Sequence, residues 1–160
     1  MTLKEKALEI AHGEIGNQEI PLNSNNGPHV KKYLSAVNLT PPQYWCMAFV
    51  MWCFKQACDK MGVKFPLKTT AGVMDLYNWV KTSHPEWIFH SPMAGDIFIM
   101  DFGKGKGHTG LVVKGFDLKC ETIEGNSNDE GSRNGYEVAH RSGDLCRKNS
   151  SIIAFIRVPY

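Results

Sequence analysis

No stretch of this 160-residue chain approaches the roughly 20 apolar residues of a membrane helix. Its first residues, Met1-Thr2-Leu3-Lys4-Glu5-Lys6, carry charge where a secretory leader needs an apolar run. The expectation is synthesis as a soluble cytoplasmic protein with no membrane insertion, so that a substrate beyond the membrane would be reached only after release or delivery. Charge of one sign is also lacking. The formal net charge is +2, too weak a field to imply a nucleic-acid partner, although it suits an anionic polymer. There is no CxxC pair, and the cysteines (Cys46, Cys53, Cys58, Cys120 and Cys146) are odd in number. Neither a disulfide framework nor a four-thiolate zinc site is therefore expected. Internal repeats, low-complexity tracts and linkers are absent too, which makes residues 1–160 one domain by economy.

What is present is an ordinary globular composition, 42% hydrophobic and 21% charged, enough for one core. Thr2-Leu3-Lys4-Glu5 has the form of a capping box, and Leu3, Ala7, Ile10 and Ala11 follow at helical spacing until Gly13 and Gly16. Residues 17–27 are polar and loop-like. Pro28 opens a short helix with Val30, Leu34 and Val37 on one face. Pro41-Pro42 blocks a helix and forces an extended approach to the next element. From Cys46 to Met61 the pattern is helical again: Phe49, Val50, Cys53, Phe54, Ala57 and Met61 form one stripe, and Gly62 stops it. A further helix is predicted over 70–82, with Val73, Leu76, Tyr77 and Val80 inward. Strands are predicted over 96–100, 109–114, 119–123 and 152–158. Helices followed by neighbouring strands predict an α+β fold, an antiparallel sheet packed on a helix.

Cys46 stands out by position. It begins a predicted helix after an extended proline segment, where unpaired amides and the helix dipole favour a thiolate. Those amides suit a nucleophile and a tetrahedral oxyanion equally well. Burial as structural filler is the competing interpretation for Cys46, and the preferred one for Cys53, Cys58, Cys120 and Cys146. Among the histidines, His12, His29, His84 and His90 look like solvated surface residues. His108 follows the turn Gly103-Lys104-Gly105-Lys106-Gly107 and begins a strand, so it is the leading base. Glu124 ends the next strand, where a carboxylate can fix the imidazole tautomer and stabilise its charged form. Strand alternation puts Asn126 on the same face as Glu124.

Taken together, Trp45-Cys46-Met47-Ala48-Phe49-Val50-Met51-Trp52, Gly95-Asp96-Ile97, Gly107-His108-Thr109-Gly110-Leu111-Val112-Val113 and Ile123-Glu124-Gly125-Asn126 resemble the motifs of CHAP domains, the cysteine, histidine-dependent amidohydrolases/peptidases. The run Asn126-Ser127-Asn128, Gly131-Ser132-Arg133, Gly135-Tyr136-Glu137-Val138 and Arg141 is similar to the segment after the third motif in phage-type endolysins. The resemblance implies a papain-like α+β fold and hydrolysis of amide bonds in bacterial peptidoglycan. Carried over by position, it makes Cys46 the nucleophile, His108 the base, and Glu124 and Asn126 the orienting polar groups, without deciding which of the two holds the imidazole. Trp45 is the candidate substrate wall, and Gln43 and Tyr44 are candidates for helping the oxyanion. Some relatives bind calcium through aspartates just before the cysteine, but residues 38–45 here contain no carboxylate.

Neither a cofactor nor a metal is expected. Gly105-Lys106-Gly107-His108-Thr109-Gly110 matches GxGxxG, but a strand rather than a helix is predicted after it, so a hairpin turn is expected. Asn126, Asn128, Glu130, Gly131 and Glu137 fall on EF-hand positions. Asn stands first there and a strand precedes it, so a polar loop is the expectation. The expected partner is bacterial peptidoglycan, met by a monomer. The alternatives are an amidase acting on a small peptide or polyamine conjugate, and a non-catalytic module of the same fold. A phage endolysin and a delivered toxin fit the sequence equally.

Overall fold

The computed structural model of the chain describes residues 1–116, 119–127, 135–142 and 151–160. Four helices precede nearly all of the sheet: α1 (Leu3–Glu14), α2 (Pro28–Ser35), α3 (Cys46–Met61) and α4 (Val73–Ser83). A single 3-10 turn, Pro85–Trp87, leads into strands β1 (Ile88–Phe89), β2 (Ile97–Gly103), β3 (Lys106–Phe116), β4 (Lys119–Ser127), β5 (Glu137–Arg141) and β6 (Ile152–Ile156). These form one six-stranded antiparallel sheet in the order β1-β6-β2-β3-β4-β5. The α+β expectation holds. No helix among the described residues is long and apolar enough to cross a membrane.

The local signals act as their chemistry dictates. The capping box forms: the Thr2 hydroxyl accepts from the Glu5 amide, and the Glu5 carboxylate accepts from the Thr2 amide at 2.7 Å. Pro28 opens α2, and Gly62 ends α3 in the left-handed conformation. α4 starts at Val73 rather than 70, because the Thr70 hydroxyl takes the Gly72 amide at 3.0 Å and holds the preceding turn open. α3 is the central pillar. Ten of its sixteen residues are buried, α1 and α2 lean on one side of it, and β3 and β4 lie on another. Cys53 and Cys58 are free buried thiols within it, as expected, and burial pushes both thiol pKa values up.

Four findings correct or extend the sequence expectations. β3 begins at Lys106, so the turn is shorter than the glycine run and His108 is the third residue of the strand. β1 and β5 carry no alternation long enough to predict. The segment after α1 runs along the outer edge of β5, with Gly16 N to Val138 O at 2.9 Å and Glu19 N to Tyr136 O at 2.8 Å. Cys120 is disulfide-bonded rather than a free buried thiol; Cys146 lies outside the described residues.

Asp96, of the Gly-Asp motif, ties the chain termini to the sheet. Its buried carboxylate accepts from Arg157 Nε at 2.9 Å and Nη2 at 2.7 Å, with Lys4 Nζ at 3.8 Å. The carboxylate is buried while its cationic partners stay partly exposed, so losing Arg157 would leave a buried charge short of its hydrogen bonds. Asp96 therefore belongs to the scaffold.

Candidate active site

Cys46 is the first residue of α3, and no side chain caps the helix from Trp45. The positive end of the helix dipole lies at the sulfur, with no capping oxygen competing for the first-turn amides. The thiol is 6% exposed and opens into a cleft of about 310 Å³ lined also by Gln43, Tyr44, Val73 and Gly105. Among the described residues no charged side chain lines this cleft. A larger depression of about 610 Å³, walled by Phe65, His84, Trp87 and Tyr160, contains none of the candidate residues. Of the two, only the smaller cleft is lined by Cys46.

His108 is 2% exposed, on β3 opposite Met100 of β2. Its Nε2 lies 2.7 Å from Glu124 Oε1. Nδ1 is buried and has no hydrogen-bond partner of ordinary geometry among the described residues. With Nε2 engaged, Nδ1 is the nitrogen left for Cys46, whose sulfur acts on the imidazole. Contacts of this kind are commonly long before substrate binds. Burial alone would push the imidazole pKa down. Hydrogen bonding and charge from Cys46 and Glu124 outweigh burial and lift it from 6.5 to about 9. The imidazolium is thereby the favoured form at neutral pH.

Glu124 is completely buried on β4. Burial would raise its pKa, but the His108 partner, the Thr122 hydroxyl at 2.5 Å and Arg141 Nη1 at 3.6 Å together hold it below its ordinary 4.5. The strand register explains these contacts. Thr122 precedes Glu124 by two on the same strand, and Arg141 of β5 stands opposite Thr122. Gly110 makes the reach to His108 sterically feasible. A Cβ there would lie 2.6 Å from Ile123 O and 2.7 Å from Glu124 Cγ. The glycine leaves room for the Glu124 stem to lie over β3.

Asn126 does not join Glu124 at the imidazole. A register irregularity falls between Glu124 and Ser127, and Asn126 sits at φ 54, so strand alternation fails there. Its Oδ1 accepts from the Trp45 amide at 3.0 Å and its Nδ2 donates to Gly135 O at 2.6 Å. Asn126 thus holds the chain just before Cys46. Trp45 is not a substrate wall either. It is fully buried, stacked on Tyr33 with centroids 5.5 Å apart, and its Nε1 donates to Glu19 Oε2 at 2.8 Å. Gln43 and Tyr44 do line the cleft, and Tyr44 is 51% exposed.

Sequence reasoning missed Thr122, Arg141, Gly110 and Glu19. Alternation from Glu124 could have found Thr122. Arg141 required knowing β5, Gly110 required the register, and Glu19 lies in a loop with no period to read. Of the GxGxxG glycines, Gly105 lies in the β2–β3 hairpin turn, whereas Gly107 and Gly110 are paired positions within β3. The EF-hand-like spacing runs through 128–131, outside the described residues.

A helix presenting a cysteine at its N-terminus to a histidine and a carboxylate on neighbouring antiparallel strands is the papain-like arrangement. The family model for the CHAP domain matches residues 39–126, more than half of the chain, and the chain belongs to that family. The family is one of cysteine- and histidine-dependent amidohydrolases and peptidases. Searches of curated proteins and of solved structures returned no match.

Proposed function

We propose that the protein hydrolyses amide bonds of bacterial peptidoglycan, as an N-acetylmuramoyl-L-alanine amidase or an endopeptidase, with Cys46 as nucleophile. One observation carries the chemistry: a helix-terminal thiol beside a buried imidazole whose far nitrogen is held 2.7 Å from a buried carboxylate. Two features support the substrate. The run from Asn126 to Arg141 is similar to the segment after the third motif in phage-type endolysins, and the cleft beside Cys46, lined by Gln43, Tyr44 and Val73, leaves room for an extended peptide.

The reaction runs in two halves. His108 holds the Cys46 proton as imidazolium, and the thiolate attacks the amide carbonyl carbon to form a C–S bond. The Cys46 amide, with Gln43 beside it, stabilises the oxyanion. His108 gives its proton to the leaving nitrogen as the C–N bond breaks, releasing the amine. It then takes a proton from water, which attacks the thioester; the carboxylic acid leaves and the thiol is restored. Glu124 keeps the imidazole oriented and balances its charge throughout.

The test is digestion of purified peptidoglycan of several peptide chemistries by the native protein and by Cys46→Ala, with mass spectrometry of released fragments. Fragments from the native protein alone are expected, and their new termini name the bond. Turnover of small amides with intact walls would replace the substrate. No turnover of either would leave a non-catalytic module.

A further inference from the structure

The buried Glu19 carboxylate has no place in the cycle above, and it lies outside the 39–126 span of the family match. It is 1% exposed, yet among the described residues only one of its oxygens is satisfied, by the Trp45 indole at 2.8 Å; Oε1 has no partner. A buried, half-satisfied carboxylate is costly, and an amide or an apolar side chain of the same size would fill the space at lower cost. Its one hydrogen bond goes to the residue that immediately precedes the nucleophile.

We infer that Glu19 is a positioning residue for Cys46, acting through Trp45. Trp45 is held at three points. Its amide goes to Asn126 Oδ1, its ring face lies on Tyr33, and its indole N–H goes to Glu19. Glu19 is itself anchored by its own amide on Tyr136 O at 2.8 Å, at the edge of the sheet that carries His108 and Glu124. The clamp therefore references the α3 N-terminus to that sheet. It fixes the Cys46 sulfur against an imidazole that cannot move to meet it, since Glu124 holds the far side of the ring. Displacements of about 1 Å between reacting groups cost on the order of a hundredfold in rate, so a bond one residue from the sulfur has leverage.

The inference rests on Cys46 and His108 forming the reactive pair, and not on which amide is cut. Its test therefore uses a substrate-free readout. The rate of Cys46 alkylation by iodoacetamide at pH 7, located by peptide mass mapping, is compared in the native protein, Glu19→Gln and Glu19→Met. Both replacements match glutamate in size, but only glutamine retains an oxygen that accepts from the indole. Glu19→Gln is expected within about twofold of native. Glu19→Met is expected about tenfold slower while still unfolding cooperatively, with the Trp45 indole N–H resonance moved upfield as its hydrogen bond is lost. Native-rate labelling of Glu19→Met with the indole resonance displaced would overturn the inference, because the bond would be gone without consequence. An equal loss in Glu19→Gln would overturn it as well, since charge and not the acceptor would then matter. If neither variant folds, Trp45→Phe, which keeps the ring and loses the N–H, must slow labelling by a similar factor or the inference fails. A native Cys46 no more reactive than an ordinary thiol would defeat the reactive pair itself, and that failure shows in the native arm alone.

Discussion

At the scale of single residues, the charge on Glu124 is the feature that separates a working pair from two adjacent side chains. The His108 pKa is raised, to about 9, so the ion pair's contribution is complete below the ordinary 6.5 and is lost as pH rises through about 9. The Glu124 pKa is lowered, so the same contribution is present above its ordinary 4.5 and is lost as pH falls through its depressed value. Activity should therefore decline on the alkaline side around pH 9. Glu124→Gln removes the carboxylate that lifts the imidazole while burial continues to push it down. Its alkaline limb should move to lower pH, and kcat should fall by about 10²–10⁴-fold. A pH–rate profile of both proteins checks this, and an unmoved limb would show that Glu124 does not govern the base. Cys46 was legible from its place at a helix start, whereas His108 and Glu124 lie inside β3 and β4 rather than at the strand rims expected for them. Asn126 and Trp45 were misplaced because a register irregularity and a left-handed residue redirect one, and a buried partner twenty-six residues upstream captures the other.

At the scale of elements, the site depends on how closely β3, β4 and α3 approach, and glycines set that distance. A Cβ at Gly125 would meet Phe49 Cβ at 2.7 Å, so β4 lies directly against α3. Gly110 opens the space crossed by the Glu124 side chain. Gly110→Ala must push that side chain aside or shift the β4 backbone, since Ile123 O would lie only 2.6 Å away. The variant is expected to keep the native circular dichroism but lose about tenfold or more in kcat, with a destabilisation of about 1–3 kcal/mol from overpacking. Denaturant unfolding together with steady-state kinetics measures both; native activity would mean that Glu124 has another route to the imidazole. The long amphipathic helices were readable from their period, and the strands from their β-branched runs. The two-residue β1 and the short β5 were not, because pairing with neighbours rather than local sequence creates them.

At the scale of the whole molecule, two layers are brought into register by a few buried polar contacts. The helices carry Cys46, the sheet carries His108 and Glu124, and the hydrophobic contact between them is not directional. Direction comes from Asn126 and Glu19 at Trp45 and from Asp96 with Arg157 and Lys4 at the chain termini. That division explains why the fold class could be read from patterning, whereas the clamp around Trp45 could not. Patterning records burial, and these partners are joined only when distant segments meet. In the proposed reaction Cys46 attacks an amide carbonyl with His108 as its proton partner. The most direct measurement is rapid acid quench of the protein turning over a peptidoglycan fragment, followed by mass spectrometry of the intact chain. A transient acyl adduct on Cys46 that hydroxylamine removes is expected, absent in Cys46→Ala. Turnover without any adduct, or undiminished turnover by Cys46→Ala, would contradict the proposed reaction.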